Sequence, residues 1–362
     1  WSSDVCSSDL ISLEERIRIA GQEVPFEQLI PGLQRLYPAL RAGQAAGDPL
    51  PTFFDLWTAL FVEISLTEKA SFLLLEVGLG GPLDSTTAIP HDLGILTTVD
   101  LEHTALLGET CEEIAAEKSK IGRHGKPLVI SRGETTSVAT EVALSRGAIP
   151  LIAEADPRVP ENIPEVQVAN ASSALRAIDH FWAGTPVTET EIEEAWNSLN
   201  LPGRLEVLHG PPELLLDGAH TPASIRAFVQ RFADYREQKS QDSGLPPAPA
   251  PKGALLLGML EDKNPRETLS FLQQLEPLPR ICTLGIPFPR GMSAEAVAEM
   301  IEPLVRNSGS RVEQAQSPEE GVEWLRKMAA NGEPIAATGS MYLAGMVRQA
   351  WLQEPPLPER PS

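Results

Sequence analysis

Residues 73–81 of this chain read Leu73-Leu74-Leu75-Glu76-Val77-Gly78-Leu79-Gly80-Gly81, and they decide the fold. An apolar run of this length without polar alternation predicts a buried strand of a parallel sheet. The single acid, Glu76, stands at the carboxyl end of that strand, where open α/β sheets bind their ligands. The glycines after it allow a sharp turn and a close approach of the backbone to another group. The stretch predicts a strand followed by a functional loop, although one acid before glycines is by itself a weak signal.

Two further candidate residues follow the next predicted elements. A strand is expected at 93–99 with His103 shortly after it, and an amphipathic helix at 110–121 carries Lys118. Oxygen ligands with an occasional imidazole suit Mg²⁺ beside a nucleotide phosphate, where the ion keeps several waters. An ordinary loop histidine and a solvated or salt-bridged lysine explain the same residues, and both interpretations stay open on spacing alone.

The alternation of strands and helices continues through the chain and predicts an α/β fold with two domains. Pro202-Gly203 interrupts the pattern and indicates a domain boundary at 200–204. Strands are expected at 72–78, 93–99, 127–131, 148–152, 213–217, 254–258, 280–284 and 334–338. Helices are expected at 53–66, 110–121, 135–146, 171–183, 188–200, 222–235, 265–274, 293–306, 317–330 and 340–352.

Three segments stand outside this pattern. Residues 238–252 are polar and proline-rich, which predicts a surface loop insertion rather than a helix or strand. The tail, 353–362, is expected to be disordered. Residues 1–10 show neither a helix nor a strand period, and we expect them to be a sequence artefact and not the start of a folded domain.

Composition favours a cytoplasmic protein that acts on small molecules. The net charge of −21 disfavours nucleic acid and anionic membranes as partners. No apolar run approaches the length of a membrane span. The three cysteines, Cys6, Cys111 and Cys282, show no metal or disulfide spacing, which favours a reducing compartment.

Several motifs, in one consistent order, resemble those of folylpolyglutamate synthase / dihydrofolate synthase, a family of the ATP-dependent Mur ligase superfamily. The segments that carry this resemblance are 11–18, 52–55, 75–81, 102–104, 113–118, 201–207, 216–222 and 338–343. Each would be weak alone, but together they are specific from about residue 11 to about residue 348.

The resemblance implies a Mur-ligase-type ATP-binding domain with a mostly parallel sheet over 11–200. It implies a Rossmann-like α/β ligase domain over 205–352. The family also carries a glycine-rich phosphate loop ending in Gly-Lys-Gly-Ser or a close variant, and no such segment occurs in these 362 residues. We therefore expect the ATP-binding domain to lack its amino-terminal portion.

The resemblance also assigns roles to the candidates in the first domain. Glu76 and His103 match the family's Mg²⁺ ligands. Lys118 matches a lysine that many members carry as a carbamate, an anion able to hold a second Mg²⁺. His103 and Lys118 are accordingly the expected catalytic residues.

Four residues match family positions that contact the nucleotide: Asn170, Arg204, Asp217 and His220. The side chains suit this role, because a guanidinium fork binds phosphate and an acid accepts hydrogen bonds from ribose hydroxyls. Structural alternatives remain open for each. Asn170 and Asp217 could be helix caps, Arg204 could hold a hinge, and His220 could face water at a helix start.

The implied reaction joins L-glutamate to dihydropteroate or a folate through an acyl phosphate, with ATP and Mg²⁺, and K⁺ as an optional further cation. A monomer is usual in this family. Two alternatives remain: a Mur-type amide ligase for another acid and amino acid, or a nucleotide- or folate-binding protein without catalysis. Four departures from the family pattern put the acceptor in question: Pro82 for Arg, Thr87 for Asn, Glu102 for Asp and Thr221 for Asn.

Overall fold

The computed structural model describes residues 2–5, 10–160, 165–184, 186–199, 201–242, 252–306 and 311–353. For 2–5, 165–166 and 241–242 it describes the backbone only. The chain divides into two compact units, Trp1–Ser198 and Leu199–Ser362, and each is an assembly of helices and sheet. The predicted α/β class with two domains is confirmed.

The first unit contains seven strands and seven helices among its described residues. The strands are β1 (Ser2–Val5), β2 (Ile17–Ile19), β3 (Gln22–Glu23), β4 (Phe72–Leu75), β5 (Gly94–Leu96), β6 (Pro127–Ser131) and β7 (Ile149–Ala153). The helices are α1 (Phe26–Ala46), α2 (Phe53–Thr67), α3 (Thr104–Leu107), α4 (Cys111–Ser119), α5 (Thr136–Ser145), α6 (Glu165–Phe181) and α7 (Glu189–Ser198).

The strands of the first unit form two sheets. β5, β6 and β7 are all parallel, and β6 is the central strand. The other sheet has the order β3-β2-β1-β4, with β1 parallel to β4 and antiparallel to β2. The expectation of no strand within 1–10 is therefore wrong for 2–5. β1 forms despite its polar sequence because its backbone pairs with a strand on each side, and these hydrogen bonds need no apolar side chains.

The strand predicted at 72–78 forms at 72–75, and it is not buried on both faces. Leu74 of β4 is 55% exposed, whereas Leu128 and Val129 of β6 are fully buried. Among the described residues β4 pairs only with β1, so it is an edge strand. A continuous apolar run predicted the strand correctly and its burial wrongly.

The second unit is built on one six-stranded sheet. Its strands are β8 (Glu206–Leu208), β9 (Leu214–Leu216), β10 (Ala254–Leu257), β11 (Arg280–Leu284), β12 (Val312–Ala315) and β13 (Ile335–Thr338). Its helices are α8 (Pro222–Asp242), α9 (Pro265–Ser270), α10 (Ala294–Val305), α11 (Pro318–Ala330) and α12 (Met341–Gln353).

The sheet of the second unit has the order β12-β11-β10-β13-β9-β8, and all pairs are parallel except β8 with β9. Leu255 and Leu257 of β10 share one buried cluster with α8, α9 and α10. Leu256, which points to the opposite face, contacts Gly321 of α11. Helices therefore cover both faces, and the turns after β9 and β13 lie on neighbouring strands at one edge, where open α/β sheets bind ligands.

Two predicted helix boundaries differ from the structure by six residues or more. α6 begins at Glu165, not near 171, because Val168 and Ala171 continue the apolar face that Leu175 presents to a buried cluster. α8 runs to Asp242, so the first residues of the expected 238–252 loop are helical. Residues 243–251 of that loop and 354–362 of the tail lie outside the described residues. Within the described part of the chain, no helix has both the length and the apolar character needed to cross a membrane.

Candidate active site

The glycine run after β4 lies against the two segments that carry the other first-unit candidates. A Cβ atom on Gly80 would lie 3.2 Å from the Leu107 side chain of α3, the helix that His103 precedes. A Cβ atom on Gly81 would lie only 2.5 Å from the carbonyl oxygen of Glu117 and 3.2 Å from that of Lys118. The structure thus brings the loop after Glu76, the end of α3 and the end of α4 together.

An aspartate that sequence reasoning did not single out fixes the shape of this loop. The carboxylate of Asp84 accepts hydrogen bonds from the N–H groups of Gly78 and Leu79, each at 3.0 Å, through Oδ2. Its Oδ1 accepts the N–H of Thr86 at 3.0 Å. An acid followed by Ser-Thr-Thr is a common turn and cap signal, so the sequence did contain a clue.

One of the four family departures has a clear structural use here. The Thr87 hydroxyl donates to the carbonyl oxygen of Gly81 at 2.8 Å, which closes the glycine loop on itself. The Thr87 carbonyl oxygen in turn accepts a hydrogen bond from Arg123. Threonine in place of asparagine therefore still holds the loop.

His103 is an exposed residue held in the left-handed region, with φ 51° and ψ 38°. Few non-glycine residues adopt this conformation, and it is enriched at functional sites. Its carbonyl oxygen accepts the N–H groups of Leu106 and Leu107 at 2.9 and 3.0 Å, which starts α3. The backbone thus fixes the position from which the imidazole projects.

Lys118 is half-buried in the last turn of α4. The neighbouring Glu117 forms a salt bridge with Lys120, three residues on, not with Lys118. No ion pair of the Lys118 ammonium occurs among the described residues, so a salt bridge does not account for this lysine. α4 itself is fixed at its start by Thr110, whose hydroxyl accepts the N–H of Glu113 at 3.2 Å.

The possible metal ligands on these adjoining segments suit a cation that keeps much of its water. Within the described ranges, no three His, Cys, Asp or Glu side chains are grouped as a protein-only metal site. Glu76 and His103 are both exposed, and they offer one carboxylate and one imidazole. Mg²⁺ bound by one or two protein groups, waters and substrate phosphate fits this arrangement.

In the second unit, the candidate Asp217 holds two backbone segments together. It follows β9 and is 6% exposed. Its Oδ2 accepts the N–H of Leu205 and its Oδ1 accepts the N–H of Ala219, both at 2.7 Å. Burial raises the pKa of Asp217 to about 6, against the opposing effect of these two donors and of the charges on Arg204 and His220. The carboxyl group is therefore mostly ionised at pH 7.

Arg204 is exposed, but its backbone is anchored on both sides. Gly203 accepts the N–H of Gly218 at 2.7 Å and donates its own N–H to Glu206 at 2.9 Å. Leu205 is tied to Asp217 and has a positive φ of 50°. The guanidinium of Arg204 consequently projects from a rigid turn next to the end of β9.

His220 and Thr221 form the start of α8. Nδ1 of His220 lies 2.7 Å from the carbonyl oxygen of Gly218 and donates a hydrogen bond to it. The N–H of Ser224 donates to the Thr221 hydroxyl at 3.2 Å, and Ser224 Oγ accepts the N–H groups of both His220 and Thr221. Thr221 is thus the helix cap, which explains threonine at a position where the family has asparagine.

The neighbouring turn after β13 approaches the same edge of the sheet. A Cβ atom on Gly218 would lie 2.0 Å from the Met341 sulfur, at the start of α12. Gly339 has φ +121°, and a Cβ there would lie 2.5 Å from the carbonyl oxygen of Gly258. Gly339 has no room for a side chain, and a side chain at Gly218 would have to displace that of Met341, which accounts for glycine in the Gly-Ala-His and Thr-Gly-Ser motifs.

The alternative interpretation of Asn170 as a helix cap is wrong. It lies inside α6 and is exposed, so it does not cap a helix. The structure therefore groups Arg204, Asp217 and His220 around one turn of the second unit. It also places Glu76, His103 and Lys118 on three adjoining segments of the first unit.

Comparisons with known proteins agree with the motifs. Residues 203–341 match the family model described as "Mur ligase, glutamate ligase domain". The chain is 28% identical over 369 residues to a probable bifunctional folylpolyglutamate synthase/dihydropteroate synthase of Haloferax volcanii, covering 94% of this chain and 41% of that protein. It is 28% identical over 317 residues to the dihydrofolate synthase/folylpolyglutamate synthase of Escherichia coli, covering 81% of this chain and 68% of that protein.

The fold is similar to a solved structure with ligands. The bifunctional folylpolyglutamate synthase/dihydrofolate synthase of Yersinia pestis with Mn, AMPPNP and L-glutamate bound matches with a TM-score of 0.74 and 26% identity. The match covers 96% of this chain and 82% of that one. The predicted resemblance to folylpolyglutamate and dihydrofolate synthases is confirmed, although the chain spans less than half the length of the Haloferax relative.

Proposed function

We propose that this chain is an ATP-dependent ligase that joins L-glutamate to dihydropteroate or to a folate. The observation that carries the proposal is the close approach of the glycine loop to α3 and α4, because the backbone segments that contain Glu76, His103 and Lys118 then adjoin one another. The sequence similarity to folylpolyglutamate and dihydrofolate synthases supports the same reaction.

The proposed chemistry has two steps. A carboxylate oxygen of the acceptor attacks the γ-phosphorus of ATP, ADP leaves, and an acyl phosphate forms. The amine nitrogen of glutamate then attacks the acyl carbon, loses a proton, and displaces phosphate, which keeps the former carboxylate oxygen. Such transfers depend mainly on positioning and on stabilising charge, and little on covalent chemistry by the protein.

In the first unit, Glu76 and His103 are the proposed Mg²⁺ ligands. A bound Mg²⁺ would neutralise charge that develops on the transferred phosphoryl group. Lys118 forms no ion pair among the described residues, and it is proposed to carry a carbamate that would act as a further Mg²⁺ ligand. The left-handed backbone of His103 then serves to aim its ring from a fixed point.

In the second unit, Arg204, Asp217 and His220 are proposed to hold the nucleotide. The exposed Arg204 side chain can bind phosphate oxygens as a fork. Both oxygens of Asp217 already accept a backbone N–H, so this acid positions Arg204 in addition to accepting a ribose hydroxyl. His220 stands at the start of α8, where the helix dipole favours anionic groups.

Other parts of the proposal extend to the whole chain. We propose that Asn170 contacts adenine, that K⁺ is a further cation, and that the protein is a cytoplasmic monomer. The proposed functional domains are 11–200 and 205–352, with small molecules as partners. The comparison structure binds small molecules, namely AMPPNP and L-glutamate.

A radiolabel assay tests the proposal. The chain is incubated with MgATP, L-[¹⁴C]glutamate and either dihydropteroate or tetrahydrofolate, and labelled product is separated by chromatography. Lys118→Ala and Glu76→Gln should each lower incorporation at least tenfold, because each removes a group that holds charge at the reacting phosphate. Lys327→Ala and Glu154→Gln are matched controls, because both side chains are exposed and paired elsewhere, and they should keep full activity.

The outcomes separate the alternatives. Incorporation of a different amino acid, or use of a different acid, would indicate another Mur-type ligase. Binding of nucleotide or folate without incorporation would indicate a protein without catalysis. Equal activity in Lys118→Ala and Lys327→Ala would reject the assigned role of Lys118.

A further inference from the structure

A basic cleft lies in the first unit beyond the end of α4. The cleft has a volume of about 740 Å³, which is within the range of small-molecule sites. Four of its lining residues carry permanent positive charge: Lys120, Arg123, Lys126 and Arg146. Among the described residues that line it, Asp92 is the one acid. In a chain of net charge −21 this local excess of cations is unusual.

Structural contacts explain only part of this cluster. Nη2 of Arg123 donates to the carbonyl oxygens of Thr87 and Ile89, and Arg146 Nε donates to that of Gly122 at 2.9 Å. These bonds tie three loops together, but each uses one nitrogen of its guanidinium. Arg123 Nε is buried with no hydrogen-bond partner among the described residues. A buried donor without a partner is costly, so these contacts alone do not explain why Arg123 is held here.

The acids near the cleft neutralise only two of the four charges. Asp92 pairs with Lys126 at 2.7 Å, and Glu117 pairs with Lys120. The two guanidinium groups bond to neutral carbonyl oxygens instead. His91 also lines the cleft, and its pKa is lowered mainly by burial and next by the positive charge of Arg123.

We propose that this cleft binds a small anion with two or more negative groups, either carboxylates or phosphates. The guanidiniums of Arg123 and Arg146 are the main binding groups, and Lys126 adds charge at the rim. Arginine suits this role, because its planar fork matches both carboxylate and phosphate oxygens. This inference does not depend on the proposed ligase activity.

Titration calorimetry without divalent metal tests the cleft directly. Inorganic pyrophosphate is the phosphate probe and γ-linked tri-L-glutamate is the carboxylate probe. At least one should bind to the wild-type chain, and the tighter one identifies the ligand class. Arg146→Gln and Lys126→Gln should each weaken that binding about threefold to tenfold, the effect of one unit charge at short range near the surface. The double variant should show roughly the product of the two effects.

Two further variants make the result specific. Arg132 lies in the same unit, pairs with Glu154 at 3.3 Å and does not line the cleft. The Arg132→Gln variant should therefore bind the probe as tightly as the wild type. Arg146→Lys keeps the charge and should retain more affinity than Arg146→Gln. Thermal unfolding checks that each variant is folded. Binding of neither probe, or equal binding by the wild type and the double variant, would overturn the proposal.

Discussion

Replacing Gly81 by alanine tests the packing that gathers the first-unit candidates. The added Cβ would lie 2.5 Å from the Glu117 carbonyl oxygen, whereas ordinary contact begins at 3.4 Å, so loop and helix must separate by about 0.9 Å. Both contacting groups are backbone and cannot rotate away. Forcing extra volume into such a contact costs about 1–3 kcal/mol of unfolding free energy. A displacement of roughly 1 Å at reacting groups can also lower turnover about 100-fold.

Urea unfolding and the glutamate incorporation assay measure the two effects of Gly81→Ala separately. Gly133→Ala is the matched control, because it lies in the same unit and a Cβ there meets nothing within 4 Å. We expect the control to change the free energy of unfolding by less than about 1 kcal/mol and to leave turnover unchanged. If Gly81→Ala is as stable and as active as Gly133→Ala, the close approach of loop and α4 does not exist as described.

Three further predictions concern the second unit. Because burial raises the pKa of Asp217 from 3.8 to about 6, its protonated form stabilises the fold below about pH 4 and this contribution is lost as pH rises through 6. The unfolding free energy of wild type relative to Asp217→Asn should therefore fall by roughly 3 kcal/mol between about pH 3 and pH 7, and a difference independent of pH would contradict this. Gly218→Ala should lower the free energy of unfolding by about 1–3 kcal/mol, because the new Cβ would lie 2.0 Å from the Met341 sulfur. Met341→Ala should restore part of this loss, and a double-mutant cycle that shows no coupling would contradict the contact. Arg348→Met should cost about 3–5 kcal/mol in chemical denaturation, because the buried Glu206 carboxylate then loses the cation that contacts it at 3.1 and 3.2 Å. The double replacement with Glu206→Met should recover only part of this cost, since it also removes the acceptor of the Gly203 N–H.

Local sequence signals predicted the regular elements of the sheets well. β6 and β11 begin and end at the predicted residues, 127–131 and 280–284. α7 also forms within the predicted range 188–200, and a capping box begins it, with Thr188 N–H donating to Glu191 at 2.9 Å and Glu191 N–H donating to the Thr188 hydroxyl at 3.2 Å. These features depend on residues close in sequence, which is why pattern alone identified them.

The sequence failed where long-range packing decides. The helix at 26–46 is not among the predicted elements, and it contains Pro31 and Pro38, which are signals for a helix end. The helix persists because it packs on α2, where a Cβ on Gly32 would lie 2.5 Å from Leu60. The exposure of Leu74 likewise depends on which strands pair with β4, and a run of leucines does not contain that information.

For the candidate site, too, the sequence indicated which residues matter but not how they are positioned. Motif residues such as Asp217 and His220 were identified in sequence, but the bonds that fix them were not. The role of Asp84 in shaping the glycine loop needed the structure, because its partners Gly78 and Leu79 are backbone groups that any residue could supply. Residue type therefore indicated the chemistry, and the fold alone revealed how each group is positioned.

Oxygen transfer tests the central claim most directly. The acceptor acid is labelled with ¹⁸O in its reacting carboxylate and incubated with the chain, MgATP and L-glutamate, and the released phosphate is analysed by mass spectrometry. The proposed acyl phosphate requires one ¹⁸O atom in each phosphate released, together with one glutamyl bond per ADP. Phosphate without the label, or no ADP formed while both substrates are present, would contradict the proposed ligase reaction.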